Sequence, residues 1–414
     1  MQIYAASYLF PVSSPPREGG AIAVAEGRIV DAGSLERLRT EYSAPVREFP
    51  GCVIMPGLVN AHSHMELTHF SSWKLRKGID YSPRTYVDWV IQVIKIRRSL
   101  TRSELEHSVM EGIRVSLECG TTTIGEIVSD QNLIPLYNST DIYGRLYMEA
   151  LGQEPARNAS LLADIENTII SFADGRLMKP GISPHAPHTL APGFLQDLAG
   201  LADGHSIPCV IHLSESREEA SFMHDSSGKI AEILYPFAGW ESYLPAPRRT
   251  TSTAYLEGLG VLNPLTSVVH CVHITPDDAQ ILKKRGVTAI LCPRSNERLA
   301  VGKAPALLLK KCGIPLALGT DSLASNDSLS LWDEMRFLHR EFPDVFTPAE
   351  VLEMATLGSA GALHLESETG SLEKGKRADF LVVHPGRIAS TVELAEVLIE
   401  DSRVAEVFLG GASI

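Results

Sequence analysis

The sequence is expected to fold as an α/β protein, a (β/α)8 barrel of the TIM type with a small β-sandwich built from both chain ends. Three observations lead there. Eight buried, non-alternating apolar runs succeed one another between residues 53 and 325, each ending in polar residues and followed by a helical pattern, as parallel strands covered on both faces do. Short β-rich runs with turn signals occupy residues 1–55. The same texture returns after residue 364.

Taken in order, AIAVAEGRIVDAG (21–33) reads as a hairpin, two β-rich runs around a Glu-Gly turn. The barrel strands are VIMPGLVNAHSH (53–64), TTTIGEIVS (121–129), IYGRLYMEALG (142–152), KPGISPHAP (179–187), PCVIHLSES (208–216), SVVHCVHIT (267–275), VTAILCPRSN (287–296) and PLALGTDSLAS (315–325). Between them, Thr101 and Glu104 have the spacing of a capping box, Leu105, Val109, Ile113 and Leu117 share one helical face, and Gly120 ends the helix. Thr347, Pro348 and Glu350 repeat that start signal. RADFLVVHP (377–385) is again a strand. The expected division is therefore a barrel over 56–363 and a composite β domain from 1–55 and 364–414.

With 414 residues, 44% hydrophobic and 21% charged, the chain has the composition of a soluble globular protein. Its formal net charge of -13 disfavours a nucleic-acid partner held through phosphates. No basic leader and no run of eighteen apolar residues is present, so the expected location is the cytoplasm, away from the membrane. The six cysteines, Cys52, Cys119, Cys209, Cys271, Cys292 and Cys312, form no C-x-x-C pair and read as reduced, buried thiols. The expected partner is a small molecule, with a homodimer left open.

Reactive groups of such a barrel come from the C-terminal ends of its strands. His62 and His64 end the first run, and their H-x-H spacing turns both imidazoles to one face. His212 lies near the end of the fifth run, His270 in the sixth and Asp321 at the end of the eighth. Histidines and a carboxylate form a nitrogen and oxygen set for a borderline divalent metal, zinc first, with iron or manganese as alternatives. Glu215, three residues beyond His212, is placed to carry a proton beside a metal-activated water. A solvated loop acid, as in Glu218 and Glu219, is the competing reading.

These residues resemble the amidohydrolase superfamily, in particular its branch of adenosine-type, cytosine and guanine deaminases and s-triazine hydrolases. The resemblance rests on PGLVNAHSH, SPHAPHT, HLSES, HCVH, CPRSN, LGTDS and the closing GSLEKGKRADFLVV, and covers nearly the whole chain. It implies that His62, His64, His212 and Asp321 bind one metal, that Glu215 protonates a ring nitrogen, and that His270 hydrogen-bonds the attacking hydroxide. Asp321 would also be the first proton acceptor, and ammonia the leaving group. Two-metal members add a bridging lysine at the end of the fourth strand; here that run ends in His185 with Lys179 at its start, which implies one metal per chain.

For the substrate, the resemblance makes His185 a contact to a nucleoside. His188 and Ser322 depart from the adenosine-type pattern, and NAHSHMEL, SPHAPHT and CPRSN look more like the aminofutalosine deaminases of the alternative menaquinone pathway. Arg294 is the candidate for a substrate carboxylate, against pairing with a loop acid such as Glu297. Trp89 is a candidate for stacking on a purine, against packing in the outer helical layer. Glu66 is a pocket-rim candidate, and His69 lies beyond the strand end. Three other readings remain: a deaminase of S-adenosylhomocysteine, methylthioadenosine or another purine or pyrimidine; a dechlorinating or cyclic-amide hydrolase on the same site, such as a triazine-type enzyme; and a non-catalytic scaffold.

Overall fold

Eight parallel strands close into a barrel in the computed structural model, which describes residues 1–172, 177–387 and 390–414. They are Leu58–Ser63, Thr121–Val128, Tyr143–Ala150, Met178–Pro184, Cys209–Leu213, Thr266–His270, Thr288–Leu291 and Leu316–Leu318. Each pairs with the next in parallel. Closure comes from a parallel bridge between Ser63 and Asp321, with the Asp321 amide donating to the His62 carbonyl at 3.0 Å. Side chains alternate, so Val59, Ala61, Val210, Val269, Ile290 and Ala317 fill the barrel interior while Leu58, Ile211, Val268 and Leu291 join the outer layer.

Helices begin where the residue types expected them to. Thr101 and Glu104 form a capping box on Arg102–Glu118, and Thr347 and Glu350 form another on Pro348–Met354. The helix Leu394–Glu400 interrupts the expected run of C-terminal strands. Its Leu394, Leu398 and Ile399 recur at helical spacing and pack into the outer barrel layer.

The chain ends form one mixed sheet, in which Gln2–Leu9 and Val46–Pro56 pair in parallel at the centre and Phe380–Pro385 joins them antiparallel. The hairpin Gly20–Ala25 with Arg28–Ser34 is present, its turn made by Glu26 and Gly27 at φ 51° and 75°. The run at 53–64 is corrected, because it contains two strands in two sheets. Residues up to Pro56 belong to the terminal sheet and Leu58 starts the barrel. Pro56-Gly57 is the mark of that change within the run. Gly57 permits it, since a Cβ there would lie 2.0 Å from Thr122 Oγ1.

Alternation also attaches the two parts. Val53, Met55, Leu381 and Val383 face the barrel, whereas Ile54, Phe380, Val382 and Phe408 face the sheet's own core with Tyr4 and Ile22. Phe380 and Phe408 stack at 4.3 Å between centroids. Truncating Phe408 to Ala is expected to cost about 3–5 kcal/mol in denaturant unfolding, and a loss below about 1 kcal/mol would contradict its place in that core. All six cysteines are free, and five of them are buried. Among the described residues no helix is long and apolar enough to cross a membrane.

Candidate active site

Four histidines and two acids gather at the C-terminal end of the barrel. His62 Nε2 lies 3.2 Å from His64 Nε2. Asp321 Oδ1 is 3.7 Å from His62 Nε2 and 3.6 Å from His64 Nε2. His62, His212 and His270 bring one ring nitrogen each to within 4.8 Å of one another. Donors around a tetrahedral ion with metal–nitrogen bonds of about 2.0–2.1 Å stand roughly 3.3 Å apart. The His62, His64 and Asp321 separations of 3.2–3.7 Å are those of donors around one divalent ion, and His62 shares the second group with His212 and His270.

Local backbone irregularity aims these groups. A register shift between Asn60 and Ser63 changes the strand's parity, so that His62 and His64 face inward although Ala61 does too. Ser214, His270, Cys271 and Asp321 all adopt positive φ, at 51°, 70°, 53° and 58°. Left-handed backbone at non-glycine residues is costly and persists where surrounding contacts impose it.

His212, His270, Asp321 and Glu215 each have one polar atom engaged and the other left toward the cluster, whereas His62 Nδ1 has no hydrogen-bond partner among the described residues. His212 Nδ1 donates to the His185 carbonyl at 2.8 Å and His270 Nδ1 to Asn296 Oδ1 at 2.9 Å, which leaves both Nε2 atoms with lone pairs. Ser295 and Ser325 hydroxyls donate to Asp321 Oδ2 at 2.6 and 2.7 Å, leaving Oδ1. Tyr86 donates to Glu215 Oε2 at 2.8 Å, while Oε1 lies 3.7 Å from His270 Nε2.

The electrostatics follow from burial. Desolvation holds His62 well below the usual imidazole range and lowers His212 to about 4, so both are neutral, as ligands must be. Burial pushes the Glu215 carboxyl up to about 7, with His212 opposing and Asp321 adding to the rise. Burial works against charge at Asp321 as well, yet His64, His270 and the two serine hydroxyls hold it below the ordinary carboxylate range.

The substrate-contact candidates fare unequally. His185 stands beside the cluster, 4.9 Å from the His212 ring, with Nδ1 3.1 Å from Thr189 Oγ1. Glu66 is 3% exposed, paired with Ser129 and, at 3.5 Å, with Arg97, while its Oε2 has no hydrogen-bond partner among the described residues. Trp89 belongs to the helix Tyr86–Arg97, whose Tyr86, Val87 and Ile91 pack with Phe222, Val272 and Val301 beyond the fifth to seventh strands while Ile96 joins the outer layer. Its Nε1 donates to the Ala324 carbonyl at 2.9 Å. Arg294 is not brought to the cluster, because its guanidinium meets Asp327, Asn326 Oδ1 at 3.3 Å and Glu334 at 3.7 Å. His69 occupies the N-cap position of the helix Phe70–Arg76 without a side-chain capping bond, its ring centroid 6.1 Å from that of Trp73.

Several participants escaped the sequence reading. In CPRSN the residues reaching the site are Ser295 and Asn296, next to the arginine that drew attention. Glu219, read there as solvated, is 1% exposed and accepts from the Ser214 and Glu215 amides at 2.9 and 3.0 Å. It thereby holds the strained turn that carries Glu215. Glu126 does the same for the first strand, accepting from Ser63 Oγ, the Met65 amide and Tyr137. A buried polar residue at an otherwise apolar strand position was the available signal for Glu126. Tyr86 carried none.

Comparison with known proteins adds to this geometry. A family model described as amidohydrolase family matches residues 53–413. A 5-methylthioadenosine/S-adenosylhomocysteine deaminase of Syntrophobacter fumaroxidans is 31% identical over 376 residues, covering 88% of this chain and 80% of that protein. An aminodeoxyfutalosine deaminase of Deinococcus radiodurans is 29% identical over 336 residues, covering 78% and 77%. In fold, the chain is similar to the Helicobacter pylori aminofutalosine deaminase solved with methylthio-coformycin, with a TM-score of 0.87 at 21% identity over 100% of both chains.

Proposed function

Because the chain belongs to the amidohydrolase family, we propose that it is a metal-dependent hydrolytic deaminase of an adenosine-type nucleoside, with 6-amino-6-deoxyfutalosine as the foremost substrate. The observation that carries this reading is the meeting of His62, His64, His212 and Asp321 with the Glu215–His270 pair at one end of the barrel. In this reading the first four hold one divalent ion, zinc in the first instance. Such an ion supplies Lewis acidity that makes water nucleophilic near neutral pH.

The chain's own groups divide the remaining work. Glu215 Oε2 is engaged by Tyr86, so Oε1 is the oxygen that gives a proton to the ring nitrogen, and its raised pKa keeps that proton available near neutrality. His270 is fixed by Asn296 and offers Nε2 to the attacking oxygen. Asp321 takes the proton from that oxygen, its carboxylate oriented by the Ser295 and Ser325 hydroxyls. The proton held by Asp321 passes to the exocyclic amine, whose bond to the amidine-like carbon breaks so that ammonia leaves. His185, Glu66 and Trp89 remain the proposed substrate contacts; Arg294, being matched by the chain's own acids, is not carried forward as a carboxylate clamp.

The relative at 31% identity favours a second reading, deamination of methylthioadenosine or S-adenosylhomocysteine by the same groups. An ammonia-release screen with aminofutalosine, methylthioadenosine, S-adenosylhomocysteine, adenosine, guanine, cytosine and triazines tests both. Ammonia from an adenosine-type nucleoside is expected, with aminofutalosine giving the highest kcat/KM. Chloride from a triazine without ammonia from any nucleoside would sink the deaminase reading.

A further inference from the structure

We propose that Glu126 is a positioning residue that sets the site's affinity for its divalent ion by pinning the irregular end of the first barrel strand. The inference rests on the metal reading above. Glu126 lies in the second strand, in register with Ser63, and is wholly buried. Its neighbours Ile124 and Val128 belong to the outer layer. Its carboxyl therefore sits outside the barrel lumen and acts through other residues.

Those residues bracket a proposed ligand. Glu126 Oε2 accepts from Ser63 Oγ at 2.6 Å, and Oε1 accepts from the Met65 amide at 2.7 Å and Tyr137 Oη at 2.7 Å. Ser63 and Met65 are the two chain neighbours of His64. The register shift that turns both His62 and His64 inward ends at Ser63. A strand shifted in parity has no regular ladder to hold it, so the side-chain acceptor takes that place. Ser63, Met65 and Tyr137 are at most 1% exposed, so water does not substitute.

Zinc titration against a chromophoric chelator, with the full-length protein, tests this. Glu126→Leu keeps the volume but leaves the buried Met65 amide and Tyr137 hydroxyl without their acceptor, and Ser63 Oγ with only the Gly125 carbonyl at 3.4 Å. Glu126→Gln keeps a carbonyl oxygen for the Met65 amide and Tyr137, and its NH2 group donates to Ser63 Oγ. The leucine variant is expected to bind zinc about 10–100-fold more weakly, the range seen when groups supporting metal ligands are lost, and the glutamine variant to restore most of the affinity. Wild-type affinity in Glu126→Leu would overturn the proposal, as would equal losses in both variants. If circular dichroism shows Glu126→Leu to be unfolded, Ser63→Ala removes one bond of the clamp, and unchanged affinity there overturns the proposal equally. Failure of the wild-type chain to take up zinc would overturn the metal reading instead, leaving a different signature.

Discussion

Glu215→Gln is expected to lower turnover about 10²–10⁴-fold while the metal content stays that of the wild type. The substitution is nearly isosteric and keeps an oxygen for the Tyr86 hydroxyl, so it removes the transferable proton with little change in shape. The Glu215 carboxyl is engaged by Tyr86 and faces His270, which is not among the proposed ligands, and this is why metal and turnover should separate. The loss should fall on kcat more than on KM, because the proton is needed as the ring nitrogen becomes basic in the transition state. Near-normal turnover would remove Glu215 from the mechanism.

Chelation is expected to abolish activity by at least about a thousandfold, since several kcal/mol of transition-state stabilisation are lost with the ion. Zinc should restore it at one equivalent per chain. The donor geometry supports that stoichiometry: the carboxylate of Asp321 offers one free oxygen, and Lys179 stands at the start of the fourth strand, at the end remote from the cluster. Two equivalents by elemental analysis of the active enzyme would contradict a single-ion site. Activity that survives exhaustive chelation would contradict the metal reading itself.

The groups that sequence inspection located lie on strand ends, where a local pattern of apolar run followed by polar residue marks the position. His62, His64, His212, His270 and Asp321 were legible for that reason. The groups it left open or read as solvated depend on contacts between distant segments. Arg294 has its partners 33 and 40 positions downstream, Asp327 and Glu334, and nothing near it in sequence announces them. Glu218 and Glu219 look alike in SREE, yet the helix Arg217–Asp225 turns Glu219 inward beneath the Glu215 loop and leaves its neighbour half-buried. Tyr86 reaches Glu215 across 129 positions. The fold was legible to the level of its eight units because burial on both faces of a strand is a local compositional property. The boundary near Gly57 was legible too, but the membership of residues 53–56 in the terminal sheet was not, because sheet membership is decided by pairing partners.

Glu126, Glu219 and Glu334 share one arrangement. Each is a fully buried acid that accepts backbone amides or side-chain donors of a segment following a barrel strand. Burial raises all three, Glu126 and Glu334 to about 8 and Glu219 to about 7. The mouth of the barrel is thus held by side-chain acceptors wherever the chain departs from regular ladders.

The bridge between Ser63 and Asp321 has a consequence for how the molecule acquires its activity. Two of the proposed ligands come from the first strand and one from just beyond the eighth, 257 positions after His64, so the donor set is complete only when the ring of strands has met itself. Contacts of that sequence separation are among the last and slowest to form. A chain emerging from synthesis can build its early βα units while lacking the last ligand, and any ion captured by His62 and His64 alone would be held weakly. Acquisition of tight metal binding should therefore mark the end of folding, arriving after most secondary structure is in place.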